Sequence, residues 1–359
     1  MPISAIDAIS PAFEHTKQQL FQPFRMGQWA KLALVGLLAG EMTTGSCGHF
    51  NSNFHLPKHP DHSAVTLPAI NPAVLALLIA IVIVLGFAFS MLLLYLHSIM
   101  RFILFDSVVT KRCELGQQWN RRQGVAFKYF LWQIAFSLVT VLGLAFLIGV
   151  PAIFAFAAGW LTKPKEHLAP LILCGIALFL VIMAFFLVCA VVQVLTKDFV
   201  IPQMALENLD AFEAWHRLLP MLSAEKGPYF GYLLMKIVMA IAAGILLAIV
   251  ATIAVLIVLI PVGGFGALAV LAGKAVGLQW NVYTITLAVV VGSIVLLVFF
   301  YLIALAAVPI MVFFPAYSIY FLASRYPGLA MALHPAPPAP PPSEPAVPPP
   351  IFPLPETSG

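Results

Sequence analysis

Five stretches of the chain run for more than twenty residues without a single Asp, Glu, Lys or Arg, at residues 73–96, 130–156, 171–195, 237–260 and 285–307. An α-helix rises about 1.5 Å per residue, so about 20 apolar residues cross the roughly 30 Å hydrocarbon layer of a bilayer. One charged side chain at the centre of such a helix costs about 2.5–3.5 kcal/mol on insertion, and these runs avoid that cost. The whole sequence agrees. Of 359 residues 62% are hydrophobic and 9% are charged, against about 25% charged in soluble domains. No soluble core hides that much apolar surface. The expectation is an all-α integral membrane protein, multi-pass in the cell membrane. Residues 1–25 hold Asp7, Glu14, Lys17 and Arg25 and no continuous apolar run, so they do not read as a cleavable signal.

A sixth candidate is shorter. Residues 28–45 have an apolar centre flanked by Lys31 and Glu41, with Trp29 at an interfacial position, and the alternative is a re-entrant or interfacial helix. Counting it, the spans lie near 28–45, 73–97, 130–156, 171–195, 237–260 and 285–307, within a transmembrane domain of residues 27–330. The basic residues then separate. Lys17, Arg25, Lys31, Arg101, Lys111, Arg112, Arg121, Arg122, Lys128, Lys197, Arg217, Lys226 and Arg325 fall on one side, and only Lys58, Lys163, Lys165 and Lys274 on the other. The positive-inside rule places both termini in the cytoplasm.

The basic side carries amphipathic segments. Residues 1–26 read as an N-terminal interfacial helix, with Ile6, Ile9, Phe13, Leu20 and Phe24 in one stripe. Leu209, Phe212, Trp215, Leu219 and Leu222 form a second, which Asp210 and Glu213 open in the manner of a capping box. These segments belong to an internal repeat. The second span is followed by RFILFDSVV, QQWNR and a Tyr-Phe pair, and the fourth by DFVIPQMAL, EAWHR and another Tyr-Phe pair. Phe102 answers Phe199, Trp119 answers Trp215, Arg121 answers Arg217, and Tyr129 answers Tyr229 after a four-residue insertion. Trp119, Arg121, Glu207, Phe212, Trp215 and Arg217 are therefore the candidate interaction residues. After the sixth span, Pro309 and Pro315 are expected to bend an exit into another surface helix, and a turn is expected after Pro261 at Gly263, Gly264 and Gly266.

Chemistry-bearing groups are few. The loop GSCGHFNSNFHLPKHPDHS offers Cys47, His49, His55, His59 and His62 as weak metal candidates. Thiolate and imidazole suit zinc or copper, but the spacing matches no structural zinc signature. A solvated His-rich loop is the plainer reading. The cysteines show no paired spacing, and Cys174 and Cys189 read as packing residues. Lys236 is expected to snorkel to the basic face, Lys197 and Asp198 to sit at the interface, and Arg101, Asp106 and Glu207 in the same shallow layer. No nucleophile, phosphate loop or paired carboxylate stands out, so neither catalysis nor a cofactor is expected. No basic patch interleaved with aromatics tracks a phosphate backbone, which excludes nucleic acid. Residues 331–359, with twelve prolines, read as a disordered tail whose PxxP patterns could meet a protein partner.

At FVIPQMALENLDAFEAWHRLLPML the chain resembles uncharacterised bacterial multi-pass proteins related to the membrane domain found attached to glycerophosphodiester phosphodiesterases. Pro202, Glu207 and the segment from Ala211 to Leu219 carry the likeness, which extends loosely over residues 1–325. It implies a six-helix membrane domain. The catalytic domain is absent, so its activity does not carry over. The expected function is that of a non-catalytic scaffold, lipid-interacting or accessory component whose partners are membrane lipids, with anionic headgroups favoured, and a possible protein in the membrane. The alternatives are a permease-like subunit, with Glu213-Ala214-Trp215 as a coupling helix, and extracytoplasmic metal sensing through the His-rich loop.

Overall fold

In the computed structural model, residues 3–41, 72–160, 165, 167–275 and 282–333 are described. Two short helices, α1 (Ile9–Phe21) and α2 (Met26–Leu38), precede α3 (Pro72–Thr110), α4 (Leu115–Ala157) and α5 (Leu168–Leu195). A π-helical turn, Thr196–Val200, joins α5 to α6 (Ile201–Glu207), and α7 (Ala211–Ala224), α8 (Lys226–Ala275), α9 (Val282–Ala323) and α10 (Pro327–Leu333) follow. No strand occurs among the described residues. Five helices are long and apolar enough to cross a membrane: Ala73–Thr110, Leu115–Ala157, Leu168–Glu207, Lys226–Ile257 and Thr284–Ala323. Only helix can serve here, because lipid offers backbone groups no hydrogen-bond partner.

The first candidate span is described only in part. That part is α2, of 13 residues, about 20 Å long. It is short of the hydrocarbon layer by itself, and the end of the candidate span, residues 42–45, lies outside the described residues. The helix stops where the sequence tells it to. Gly40 takes φ 71, a left-handed conformation open to glycine without steric cost. α2 runs antiparallel to the end of α3, since Gln28 donates to the Lys111 carbonyl at 2.7 Å while His97 meets the Leu38 carbonyl at 3.0 Å. A Cβ on Gly36 would run into Met311, so glycine lets α2 lie close against α9.

Burial is concentrated at one end. Ile99, Phe102, Ile103, Val108, Phe199, Met204, Val308, Val312 and Leu322 are all fully or almost fully buried. Further along the same helices the side chains face outward. Ile83, Val84 and Leu85 are 64%, 65% and 63% exposed, and three consecutive helical residues point in three directions about 100° apart. That stretch of α3 is bare on every side and needs lipid around it. The protein is a set of spans tied together at a packed base.

Both described ends of the chain meet at that base. Tyr317 donates to the Ala5 carbonyl at 3.0 Å, Arg325 reaches the Ile3 carbonyl at 3.2 Å, and His15 lies 2.8 Å from the Val108 carbonyl. α1 buries Ala12, His15, Thr16, Gln19 and Leu20. Of its expected apolar stripe only Leu20 is buried, while Ile6, Phe13 and Phe24 are 69%, 64% and 55% exposed. The polar face points in and the aromatic face points out.

The repeated segments make matching contacts. Phe102 meets Tyr129 edge to face at 5.8 Å and 84°, and Phe199 meets Tyr229 at 5.3 Å and 84°. The helices around them differ, and the four extra residues are the reason. In the first unit the surface segment and the next span form one continuous helix, α4. In the second the insertion ends α7 at Ala224 and leaves Glu225 non-helical, at φ −127 and ψ 53. Two other expectations are corrected. α8 continues through Pro261 and the glycines to Ala275, with no turn there. Pro309 and Pro315 lie inside α9, so the chain exits as a continuation of that helix and only the short α10 is separate. The tail from residue 334 and the His-rich loop, with Cys47, His49, His55, His59 and His62, lie outside the described residues.

Candidate functional site: a buried ionic layer beneath the spans

The π-helical turn explains the site. Pro202 has no N–H to give the Asp198 carbonyl, and its ring crowds the carbonyl four residues back. The ladder slips by one residue instead, and the Ile201 N–H bonds the Thr196 carbonyl. Such turns recur at functional sites. This one delivers two adjacent charged residues to the interior. Asp198 is 2% exposed, and it accepts from Tyr232 at 2.9 Å and from Lys236. Lys197, with its side chain 9% exposed, pairs with Glu41 at 2.5 Å. The expectation that Lys236 snorkels to the basic face is therefore corrected, and Lys197 and Asp198 are enclosed by protein. Lys236 is 6% exposed and spends its charge on Asp198.

Arg101 completes the layer. It donates to the Tyr129 hydroxyl at 2.7 Å and to the Ala39 carbonyl at 3.4 Å. With His97 on the Leu38 carbonyl, two basic side chains of α3 thus serve the end of α2, where helix carbonyls lack partners. That anchorage presents Glu41 to Lys197. Arg101, Glu41, Lys197 and Asp198 all line one cavity of about 30 Å³, which Ser318 and Pro315 close from α9. Its volume suits a water or two.

A second buried pair lies nearby. Arg122 grips Asp106 through two hydrogen bonds of 2.6 Å and also donates to the Ala205 carbonyl. This fork geometry is the strong form of an ion pair, and it ties α3, α4 and α6 together. Gln203, which answers Asp106 in the repeat, is fully buried with neither amide atom hydrogen-bonded in the structure.

The residues singled out from sequence lie outside the ionic layer, at the surface of the base. Glu207 and Glu213 both pair with Arg217, and Glu207 also accepts from Tyr326. The two carboxylates hold the exposed Arg217 guanidinium protonated, raising its pKa, with the Glu207 hydrogen bond the larger cause. Phe212 meets Trp132 at 5.0 Å and 87°, and Trp215 lies 6.3 Å from the same ring. Trp119 and Arg121 stand apart on α4, Trp119 half-buried and Arg121 exposed. Asp210 does sit at the N-cap of α7, but the capping box does not form. Asp210 pairs with Lys128 at 2.9 Å and Glu213 turns to Arg217. Cys113 is buried between α3 and α4, and burial pushes its thiol pKa up. Among the described residues no group of His, Cys, Asp or Glu could hold a metal ion. The sequence signal for the ionic layer was Pro202 four residues after a Lys-Asp pair, inside an otherwise apolar segment.

Comparison with curated proteins and with solved structures finds no match. One family matches over residues 3–332, nearly the whole chain and all of the base just described. The protein belongs to that family, DUF7544, a family of unknown function.

Proposed function

We propose that this is a non-catalytic membrane protein that engages anionic lipid with its basic end, and that this end faces the cytoplasm. The observation that carries the reading is the outward aromatic face of α1 and the link after it, with Phe13, Phe21 and Phe24 exposed at the end of the molecule where Arg25, Lys31, Lys111, Arg112, Arg121 and Arg217 are also exposed. Apolar side chains entering the headgroup boundary beside cations are the ordinary basis of anionic-lipid attraction. Each exposed cation near such a surface contributes about 1 kcal/mol.

Two measurements test this. Protein extracted in mild neutral detergent is expected to retain anionic phospholipid above its share of the host membrane, read by mass spectrometry, and the double variant Arg112→Glu/Arg121→Glu is expected to lose the enrichment. Retention in membrane proportions by the unaltered protein would remove the headgroup reading. For orientation, a cysteine at Arg121 is expected to react with an impermeant thiol reagent only from the cytoplasmic side, and one at Lys165 only from the other, in a chain whose native cysteines are replaced. Labelling of both from one side would sink the orientation.

A further inference from the structure

Pro309 lies inside α9, yet the segment around it stays α-helical. A proline gives no N–H, so the Leu305 carbonyl, four residues back, loses its usual partner. At Pro202 the chain meets the same loss by slipping into a π-helical turn. At Pro309 the donor comes from another helix: the indole N–H of Trp29 reaches the Leu305 carbonyl at 2.8 Å. Membrane helices keep interior prolines where a neighbour supplies such a bond. α2 also braces the break on both sides. Before the proline, the Tyr301 hydroxyl donates to the Ala30 carbonyl at 3.4 Å. After it, Met311 lies so close to Gly36 that no Cβ fits between them. Pro315 and Ser318, which line the small cavity shared by Glu41, Arg101, Lys197 and Asp198, stand further along α9. The angle of α9 at Pro309 therefore sets one wall of the ionic layer.

Trp29 is itself held from the surface. Phe21 meets its ring at 5.5 Å and 82°, and Phe24 meets it at 5.4 Å and 60°. Both phenylalanines are more than half exposed, and Arg25, next to Phe24, is exposed as well. The residues that steady the indole thus belong to the surface assigned above to anionic lipid. They can enter a headgroup boundary without leaving Trp29, because only part of each ring lies against it.

We propose that Trp29 is a latch through which anionic phospholipid at the base fixes the bend of α9 at Pro309. Lipid shifts a conformational equilibrium toward the state it binds better. That state is the one in which Phe21, Phe24 and Arg25 line a single surface, and it carries Trp29 on the Leu305 carbonyl. Without an anionic surface the link between α1 and α2 loosens, the indole leaves, and α9 swings about its proline. The proposal rests on the lipid-engaging reading above and adds what that engagement regulates.

The test measures the distance between spin labels at Leu297→Cys on outer α9 and Met331→Cys on α10, both exposed positions. It uses the full chain with its native cysteines replaced, in nanodiscs of phosphatidylcholine alone or mixed with phosphatidylglycerol. The parent chain is expected to give a narrow distance distribution with phosphatidylglycerol and a broader one without it. Trp29→Phe keeps an aromatic ring but donates no hydrogen bond, and is expected to lose the narrow peak in both lipids. Pro309→Ala restores the backbone donor, so Trp29→Phe/Pro309→Ala is expected to be narrow in both. A Trp29→Phe chain as narrow as the parent, or one that Pro309→Ala does not narrow, would overturn the latch. A parent equally broad in the two lipids would overturn its coupling to lipid. The surface reading fails separately, by the absence of phospholipid enrichment from the unaltered protein.

Discussion

Arg122 does more than neutralise Asp106. Its guanidinium joins a carboxylate on α3 to a backbone carbonyl on α6, and both partners are almost wholly buried. Removing one member of such a pair leaves the other charged and unsolvated, at a cost of about 3–5 kcal/mol, whereas replacing both with apolar residues of similar volume is often neutral. Arg122→Met is therefore expected to lower stability by that amount in a denaturant or thermal titration, and Asp106→Leu/Arg122→Met to recover most of it. If the double variant is as unstable as the single one, the bond to the Ala205 carbonyl is what matters and the ion pair does not. The repeat argues for recovery. The second unit has Gln203 and Leu218 at the corresponding positions, both buried, and packs without any ion pair there. Sequence spacing named the equivalent residues, yet it could not say which would be buried. Asp106 and Arg122 stand sixteen positions apart on two helices, and neither position looks apolar. Burial of a charge is decided by what the partner helix supplies, and that is not written near the charge.

At the scale of elements, α1 is held by polar contacts together with Ala12 and Leu20, while most of the apolar stripe its sequence advertises faces outward. His15 takes part in two of them, to the Val108 carbonyl at 2.8 Å and to the Tyr320 hydroxyl at 3.2 Å, and its neighbour Gln19 donates to the Ser107 carbonyl at 2.9 Å. Burial lowers the His15 pKa, against the pull of its bond to Val108, and the nearby Lys111 lowers it further. A ring that stays neutral when docked binds fewer protons than the same ring set free, which titrates near 6.5. Docking stability is then fully present above that value and is lost as pH falls below it. Amides of α1 are expected to exchange with solvent faster at about pH 5.5 than at about pH 7.5, after correction for intrinsic rates. His15→Gln should remove that difference, and an equal pH effect in the variant would show that another group controls the helix. The stripe of Ile6, Phe13 and Phe24 was legible because 3.6-residue periodicity is local. Its direction was not, because a membrane gives an apolar face two places to go, the bundle or the lipid. α2 shows the same limit: an apolar run does not say whether it crosses or merely abuts.

The whole molecule divides the work of folding unequally. Composition alone made the spans evident, since charge-free runs longer than twenty residues have almost no other home. What composition hid is that the spans scarcely pack on one another along their outer lengths, while the base holds a core as buried as that of a soluble domain. Lipid tails are as apolar as leucine, so two spans gain little by meeting, and the tightening must come from close contact and polar ties. Those ties lie at the base: Ser98 to Gln133 at 2.8 Å, Arg101 to Tyr129 at 2.7 Å, and Trp29 to the Leu305 carbonyl at 2.8 Å. Truncating a core aromatic there leaves a cavity that costs about 3–5 kcal/mol, while truncating a side chain that touches only lipid exchanges one apolar contact for another. Phe102→Ala is accordingly expected to lower the unfolding temperature markedly in detergent, and Val84→Ala, in the bare stretch of α3, to leave it within error. Should Val84→Ala destabilise as much as Phe102→Ala, the exposed stretch of α3 must be covered by protein in the membrane. A second copy of the chain or another subunit would then complete the upper half of the molecule.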